Sequence, residues 1–361
     1  MNRYKIFSLS IIMVFVLFIL FHASIWHMYS KNIFLVDDYV YNGDLGRISF
    51  KADSIYARPS YLVEDVNDLP KQHVLYKNLK ANETVDVITI GDSFSNGATQ
   101  GKNTFYQDYI ATHNNYKVLN ILPGARVDIV GDLIKLNDSG LLDKLKPKII
   151  IIESVERYCL GRFAIDIDFN IDVDKKQFFK RLNNQKNIFV MKDKTINFIN
   201  NLNVKALISN IKFKIDKYKK YDTFTIAKLE KNFFTSKDKN SLLFYNEDLQ
   251  NINSTTELKV IKLNDNINKL ADIVAKKNID LYFMPVVDKY NLYCDYIIDN
   301  PYPKSTFFEL LRELPKKYKF IDTKKILKEE IENGVQDLYY SDDTHWSYKA
   351  SEAVVKKVKF E

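Results

Sequence analysis

Cysteine is almost missing from this chain of 361 residues, which holds only Cys159 and Cys294. Two cysteines cannot build a disulfide framework, and neither sits at metal-ligand spacing from another ligand. One bridge between them and two free buried thiols are equally compatible with the sequence. Histidine is scarce too, with five in all. No His/Cys/Asp cluster has ligand spacing, so no metal site is expected. There is no internal repeat and no low-complexity tract. Arginine-rich and basic–aromatic stripes are absent. The formal charge of +7 therefore reads as a solvated lysine surface, and no nucleic-acid partner is expected.

Hydrophobic residues make up 46% and charged residues 27%. These are globular values, and the length allows one large domain or two. The long uncharged run is Ile6 to Trp26, about 21 residues, with Arg3 and Lys5 before it. That length suits one membrane span. It exceeds the usual apolar region of a signal peptide, and no A-x-A cleavage site follows. Basic residues ahead of the span predict a cytoplasmic N-terminus, and Trp26 and Tyr29 suit the far interface. The expectation is an uncleaved single-pass signal anchor over residues 1–30, with the rest extracytoplasmic. A cleaved signal peptide is the alternative.

Residues 31–82 read as a stem and lead-in, with Asp37, Asp38, Tyr39 and Tyr41 in no clear period and Leu69-Pro70 breaking any helix. Strand signals follow at 85–90, 117–122 and 148–152, with helical spacing at 104–113 and at 129–145, where Gly131 is a weak point. Strand and helix alternating at this spacing predict a parallel α/β sheet. From 159 to 256 the chain turns Lys-, Asn-, Phe- and Asp-rich and poor in Gly and Pro. It reads as a largely helical insertion or cap, with helices at 178–182 and 204–218 and a short strand at 240–245. Regular α/β returns with helices at 257–277, 306–314, 324–332 and 347–357 and strands at 280–287 and 319–322. Asn333-Gly334 is a good helix stop.

Two stretches carry chemistry. Val85 to Ile90 runs into Gly91-Asp92-Ser93-Phe94-Ser95-Asn96-Gly97. A serine at the C-terminal end of a buried strand sits at the sheet rim, where open α/β folds place ligands. Gly91 allows a sharp turn and close approach. A helix following Ser93 would aim its first N–H groups at a developing negative charge. Taken alone, the stretch equally describes a plain turn with a capping serine. The second stretch, Tyr340-Ser341-Asp342-Asp343-Thr344-His345-Trp346, precedes the last helix. Of the three histidines outside the apolar run, His345 alone has carboxylates two and three residues before it. A serine needs a base, and the base needs a carboxylate to fix its tautomer. Alone, this loop could simply cap the final helix and carry a surface histidine.

Together the GDS block and the Asp-rich block resemble the SGNH/GDSL hydrolase superfamily, over about residues 83–155 and 257–357. GDSF with a block ending in HW is similar to the branch of alginate O-acetyltransferases and related polysaccharide O-acetyltransferases. Met284-Pro285-Val286-Val287-Asp288-Lys289-Tyr290 resembles a P-x-x-D-K segment of that branch. The resemblance implies a flavodoxin-like three-layer fold with a parallel central sheet, formed by residues 83–158 and 257–361. It implies Ser93 as nucleophile and His345 as base. The acid is Asp343 on the branch's D-x-H-W spacing and Asp342 on the wider D-x-x-H spacing, with Asp343 slightly favoured. The block that should bring an asparagine after the third strand reads Glu153-Ser154-Val155-Glu156-Arg157 instead. Oxyanion donors are then the N–H groups of Ser93 and Gly124, with Asn96 or Arg157 as a third. Arg157 has an alternative reading, as an ion pair with Glu153 or Glu156.

The implied activity is a membrane-anchored, serine-dependent O-acetyltransferase acting on a cell-surface or exported polysaccharide. No cofactor is implied, and a membrane partner that exports acyl groups is. The same triad also suits an esterase acting on such a polymer, and the same fold a non-catalytic assembly protein.

Overall fold

A computed structural model of the chain describes residues 3–30, 44–45, 68–97, 103–124, 127–170, 173–185, 199, 223–235 and 239–360. The elements run in chain order as helix α1 (Arg3–Ser30), strands β1 (Val74–Leu75) and β2 (Val87–Ile90), α2 (Tyr106–Asn114), β3 (Val118–Ile121), α3 (Ile129–Asp138), α4 (Leu141–Leu145), β4 (Ile149–Val155), α5 (Glu156–Phe163) and α6 (Lys175–Asn183). There follow β5 (Phe224–Lys228), β6 (Ser241–Tyr245), α7 (Asn246–Ser254), α8 (Glu257–Ala275), β7 (Asp280–Val286), α9 (Lys289–Tyr293), α10 (Phe307–Glu313), β8 (Lys319–Phe320), α11 (Thr323–Glu332) and α12 (Tyr348–Lys357).

Six strands form one sheet in the order β1-β3-β2-β4-β7-β8. Every neighbouring pair is parallel. The residues dictate this. β2, β3 and β4 are buried along their whole length, as strands covered on both faces must be. The polar exceptions are matched across the sheet: the Thr89 hydroxyl donates to Asn120 Oδ1 at 3.0 Å. Helices pack in two groups, α2 with α12 and α11, and α8 with α5 and α10. The strand order goes with this division: the chain leaves β2 toward β3 and later returns to the other side at β4. At such a reversal the C-terminal ends of the two flanking strands open a crevice. Here β4 also overhangs β2: Ile90 pairs with Ile152, and Glu153 to Val155 continue alone against β7. That overhang forms a wall beside whatever follows β2.

Several expectations are corrected. Helix 129–145 breaks at Gly140, where φ is +79°, and not at Gly131. Gly131 instead lets the N-cap Asp128 accept its N–H at 2.8 Å; a Cβ there would lie 2.0 Å from the Asp128 carboxylate. No helix begins directly after Ser93; residues 93–97 form a turn, with Asn96 N–H on Asp92 O at 3.1 Å. The described part of the insertion is mixed: β5 and β6 pair antiparallel, between helices α6 and α7. The 204–218 helix, the stem residues 37–41 and the side chains of Trp26 and Tyr29 lie outside the described residues. Cys159 and Cys294 are both free and buried. Helix α1 contains a stretch, Arg3–Ile25, long and apolar enough to cross a membrane.

Candidate active site

The turn that carries Ser93 is fixed by β4. Glu153 Oε2 accepts the Asp92 N–H at 2.9 Å and the Ser95 hydroxyl at 2.7 Å. Gly91 is required for this approach. A Cβ on it would sit 2.1 Å from Ser95 Oγ and 2.2 Å from Glu153 Oε2. Two buried amides, Asn120 and Gln107, both donate to Ser95 O, at 2.8 and 2.9 Å. Asp92 accepts the Val155 N–H at 2.9 Å and the Arg162 guanidinium at 2.5 Å. Burial opposes its charge, but Arg162 and the Val155 N–H outweigh that and hold Asp92 below the ordinary carboxylate range. Burial, then the charge of Asp92, push Glu153 well above that range.

His345 stands on a closed loop. Tyr339 and Trp346 pair as an antiparallel bridge, and Ser347 N–H reaches Leu338 O at 2.8 Å. Inside the loop lies the buried Lys289 ammonium. It donates to the carbonyls of Tyr340, Ser341 and Asp343 at 2.6, 2.9 and 3.1 Å. Burial pulls its pKa down to about 8, against the charges of Asp342, Asp343, Asp44 and Asp248. Lys289 heads α9, just past the end of β7.

These two constructions bring Ser93 and His345 together. Ser93 Oγ lies 2.7 Å from His345 Nε2, and His345 Nδ1 lies 2.6 Å from Asp343 Oδ1. Asp343 Oδ1 also accepts the His345 backbone N–H at 2.9 Å. An ionised Asp343 only accepts, so Nδ1 carries the proton and Nε2 is left to accept from the serine hydroxyl. Asp343, at the D-x-H spacing, and not Asp342, therefore faces the imidazole. Burial works against the charged ring. Asp343, its hydrogen bond and Asp44 outweigh this and raise the His345 pKa above the usual 6.5, with Arg157 acting in the opposite sense. Such an array can accept the serine proton as Oγ attacks an acyl carbon, and return it to a leaving group.

Comparison with family models, with curated proteins and with solved structures returned no match for this chain.

Arg157 is engaged elsewhere. Its Nη1 donates to Asp288 at 2.7 Å and to Asp248 at 3.4 Å, so its partners are neither Glu153 nor Glu156. Glu156 instead accepts from Asn291, Ser305 and the Asp288 N–H. Asp288 and Lys289 thus tie two different supports to the end of β7. The insertion also reaches the second loop of the site. Arg181 of α6 donates to Leu122 O at 3.0 Å and to Asp132 at 2.5 Å, alongside Gly124.

Asp44 and the His73–Asp108 pair carried no sequence signal, and Phe94 stood in the GDSF block without a role of its own. Asp44 lies against the catalytic loop from 300 residues away. Phe94 lies on the His345 ring, centroids 4.7 Å apart. A second histidine–carboxylate pair, His73 with Asp108 at 2.7 Å, packs on Phe105. The Nε2 of His73 is buried, and no nucleophile completes that pair among the described residues. Donor atoms of Asp44, Asp343 and His345 lie within 4.8 Å of one another. Each carboxylate oxygen of that group accepts an N–H or O–H.

Proposed function

We propose that this chain is a membrane-anchored serine O-acyltransferase of the SGNH type, which moves an acetyl group through a Ser93 acyl-enzyme onto an extracytoplasmic polysaccharide. The observation that carries the reading is the continuous Ser93–His345–Asp343 relay at the C-terminal end of β2. His345 takes the Ser93 proton, Oγ attacks the acyl carbon, and the donor leaves with that proton. A sugar hydroxyl then attacks the acyl-enzyme, with His345 again as base. The N–H groups of Ser93 and Gly124 have no hydrogen-bond acceptor among the described residues, and we assign them to the oxyanion. Asn96, three residues after Ser93, is assigned as the third donor; its side-chain oxygen is buried without a hydrogen-bond partner among the described residues. Arg157 is left out, because its Nη1 is held by two carboxylates.

An apolar helix of spanning length supports anchorage, and basic residues ahead of it support an extracytoplasmic site. A membrane partner that delivers acyl groups belongs to the same reading. The test is incubation of the full chain in detergent with an activated acetyl ester, with and without oligosaccharide. Acetyl on Ser93 by intact mass, followed by acetyl on sugar, is the expected result. Acetate alone would make the protein an esterase, and turnover by Ser93→Ala would remove the assignment altogether.

A further inference from the structure

Asp44 belongs to the stretch that joins α1 to the sheet. Its backbone N–H donates to Asp343 Oδ2 at 3.1 Å. Its carboxylate accepts the Thr344 N–H at 2.7 Å, and its other oxygen accepts the Thr344 hydroxyl. That second oxygen lies 3.5 Å from His345 Nδ1. The next residue, Leu45, is fully buried with Phe224, Ile226 and Leu243, on the β5–β6 hairpin. Two adjacent residues thus do separate jobs. Leu45 docks the segment on the insertion, and Asp44 reaches the loop that carries the base.

We propose that Asp44 is a positioning residue for His345, so that the loop bearing His345 is complete only with Asp44 and Leu45 in place. The inference rests on the reading of Ser93 and His345 as nucleophile and base. Its physical content is simple. Asp343 has one oxygen on the imidazole, and its other oxygen would lack this donor in a buried place if the segment left. Thr344 sits between acid and base, and both of its local donors end on Asp44. Loss of these ties frees Asp343 to rotate, and small displacements of a relay cost rate steeply.

The charge of Asp44 gives a signature that packing alone would not. The groups facing the imidazole are Asp343, Asp44, Ser93, the Thr344 hydroxyl at 3.5 Å and the Phe94 ring, with Arg157 acting from farther off. Removing one negative charge from this set favours the neutral ring, so base function should persist to lower pH.

The test is the rate of labelling of the full chain by a fluorophosphonate, which reacts with base-activated serines, as a function of pH. Wild type, Ser93→Ala, Asp44→Asn, Asp44→Ala and Leu45→Asp are compared. Asp44→Asn keeps size and shape, and its acid limb should move to lower pH. Asp44→Ala and Leu45→Asp should both lower the plateau rate by about 10- to 100-fold, the cost of a slightly misplaced relay. If Asp44→Asn and Asp44→Ala both keep the wild-type profile and rate, the inference is overturned while the triad stands. If wild type is not labelled, or Ser93→Ala is labelled as fast as wild type, the nucleophile assignment falls and takes the inference with it.

Discussion

Phe94 and Trp346 meet edge to face, with ring centroids 5.2 Å apart and planes at 85°. One residue follows Ser93 and the other follows His345. Both are buried, and Phe94 also lies against the His345 ring. The two ends of the active centre are therefore joined by an aromatic contact as well as by the serine–histidine hydrogen bond. Trp346→Ala should cost about 3–5 kcal/mol of stability, the usual range for emptying a buried aromatic site. Trp346→Phe should cost far less, because the indole N–H has no hydrogen-bond partner among the described residues to lose. Denaturant midpoints of the full chain in detergent would compare the two.

Asp343 and Asp342 separate cleanly. Asp343→Asn preserves shape but offers His345 Nδ1 an ambiguous partner, so the ring can take the wrong tautomer. A loss of about three to four orders of magnitude in kcat is expected, as in other serine triads. Asp342→Asn should leave most of the activity. Initial rates on an activated acetyl ester measure both, and equal losses would contradict the assignment.

The pH profile follows from the charge around His345. The reactive form is the neutral ring, and its pKa lies above 6.5 in the folded protein. Activity should therefore rise with pH through a midpoint above 6.5. The sign for stability is opposite. The folded state holds the proton more tightly, so this group's stabilisation is full below about pH 6.5 and is lost as pH rises through the folded pKa. Rate profiles and denaturation between about pH 5 and 9 test the two together.

Lys289 offers a separate handle. With a folded pKa of about 8 and an ordinary one of 10.5, the unfolded chain binds more protons between these values. This group's contribution to stability should rise with pH across that window. Lys289→Met should abolish that rise. It should also cost about 3–5 kcal/mol, because three carbonyls lose a buried cationic donor. Denaturation at about pH 7, 9 and 10 distinguishes the variant from wild type.

Much of this architecture was legible. β-branched runs marked the strands at 85–90, 117–122 and 148–152, because strands covered on both faces have little freedom in composition. Ser93 and His345 were legible as a pair, since each sits in a short polar block beside a regular element. Asp342 and Asp343 could not be separated by residue type, because only the path of the loop decides which carboxylate turns inward. Strand β5 was missed: Phe224 to Lys228 lies in a Lys- and Asn-rich stretch, and its pairing with β6 is what makes it a strand. Lys289 stood in a recognisable segment without a role, because its partners are backbone carbonyls and carbonyls leave no trace in sequence. Asp44 was unreadable for a plainer reason. Nothing local marks an acidic residue that will be used on a loop 300 positions later.

The docking of Asp44 also sets a leash. From Ser30, the end of α1, to Asp44 is 14 residues, which span at most about 50 Å when fully extended. With α1 held in a bilayer, Ser93 would then search a shallow dome above the lipid surface and nothing beyond it. An acceptor or donor fixed in the same patch of membrane would meet it at an effective concentration on the order of millimolar. A soluble molecule would have to reach that concentration in bulk to compete, so the length of one short segment would favour substrates that are themselves tied to the surface.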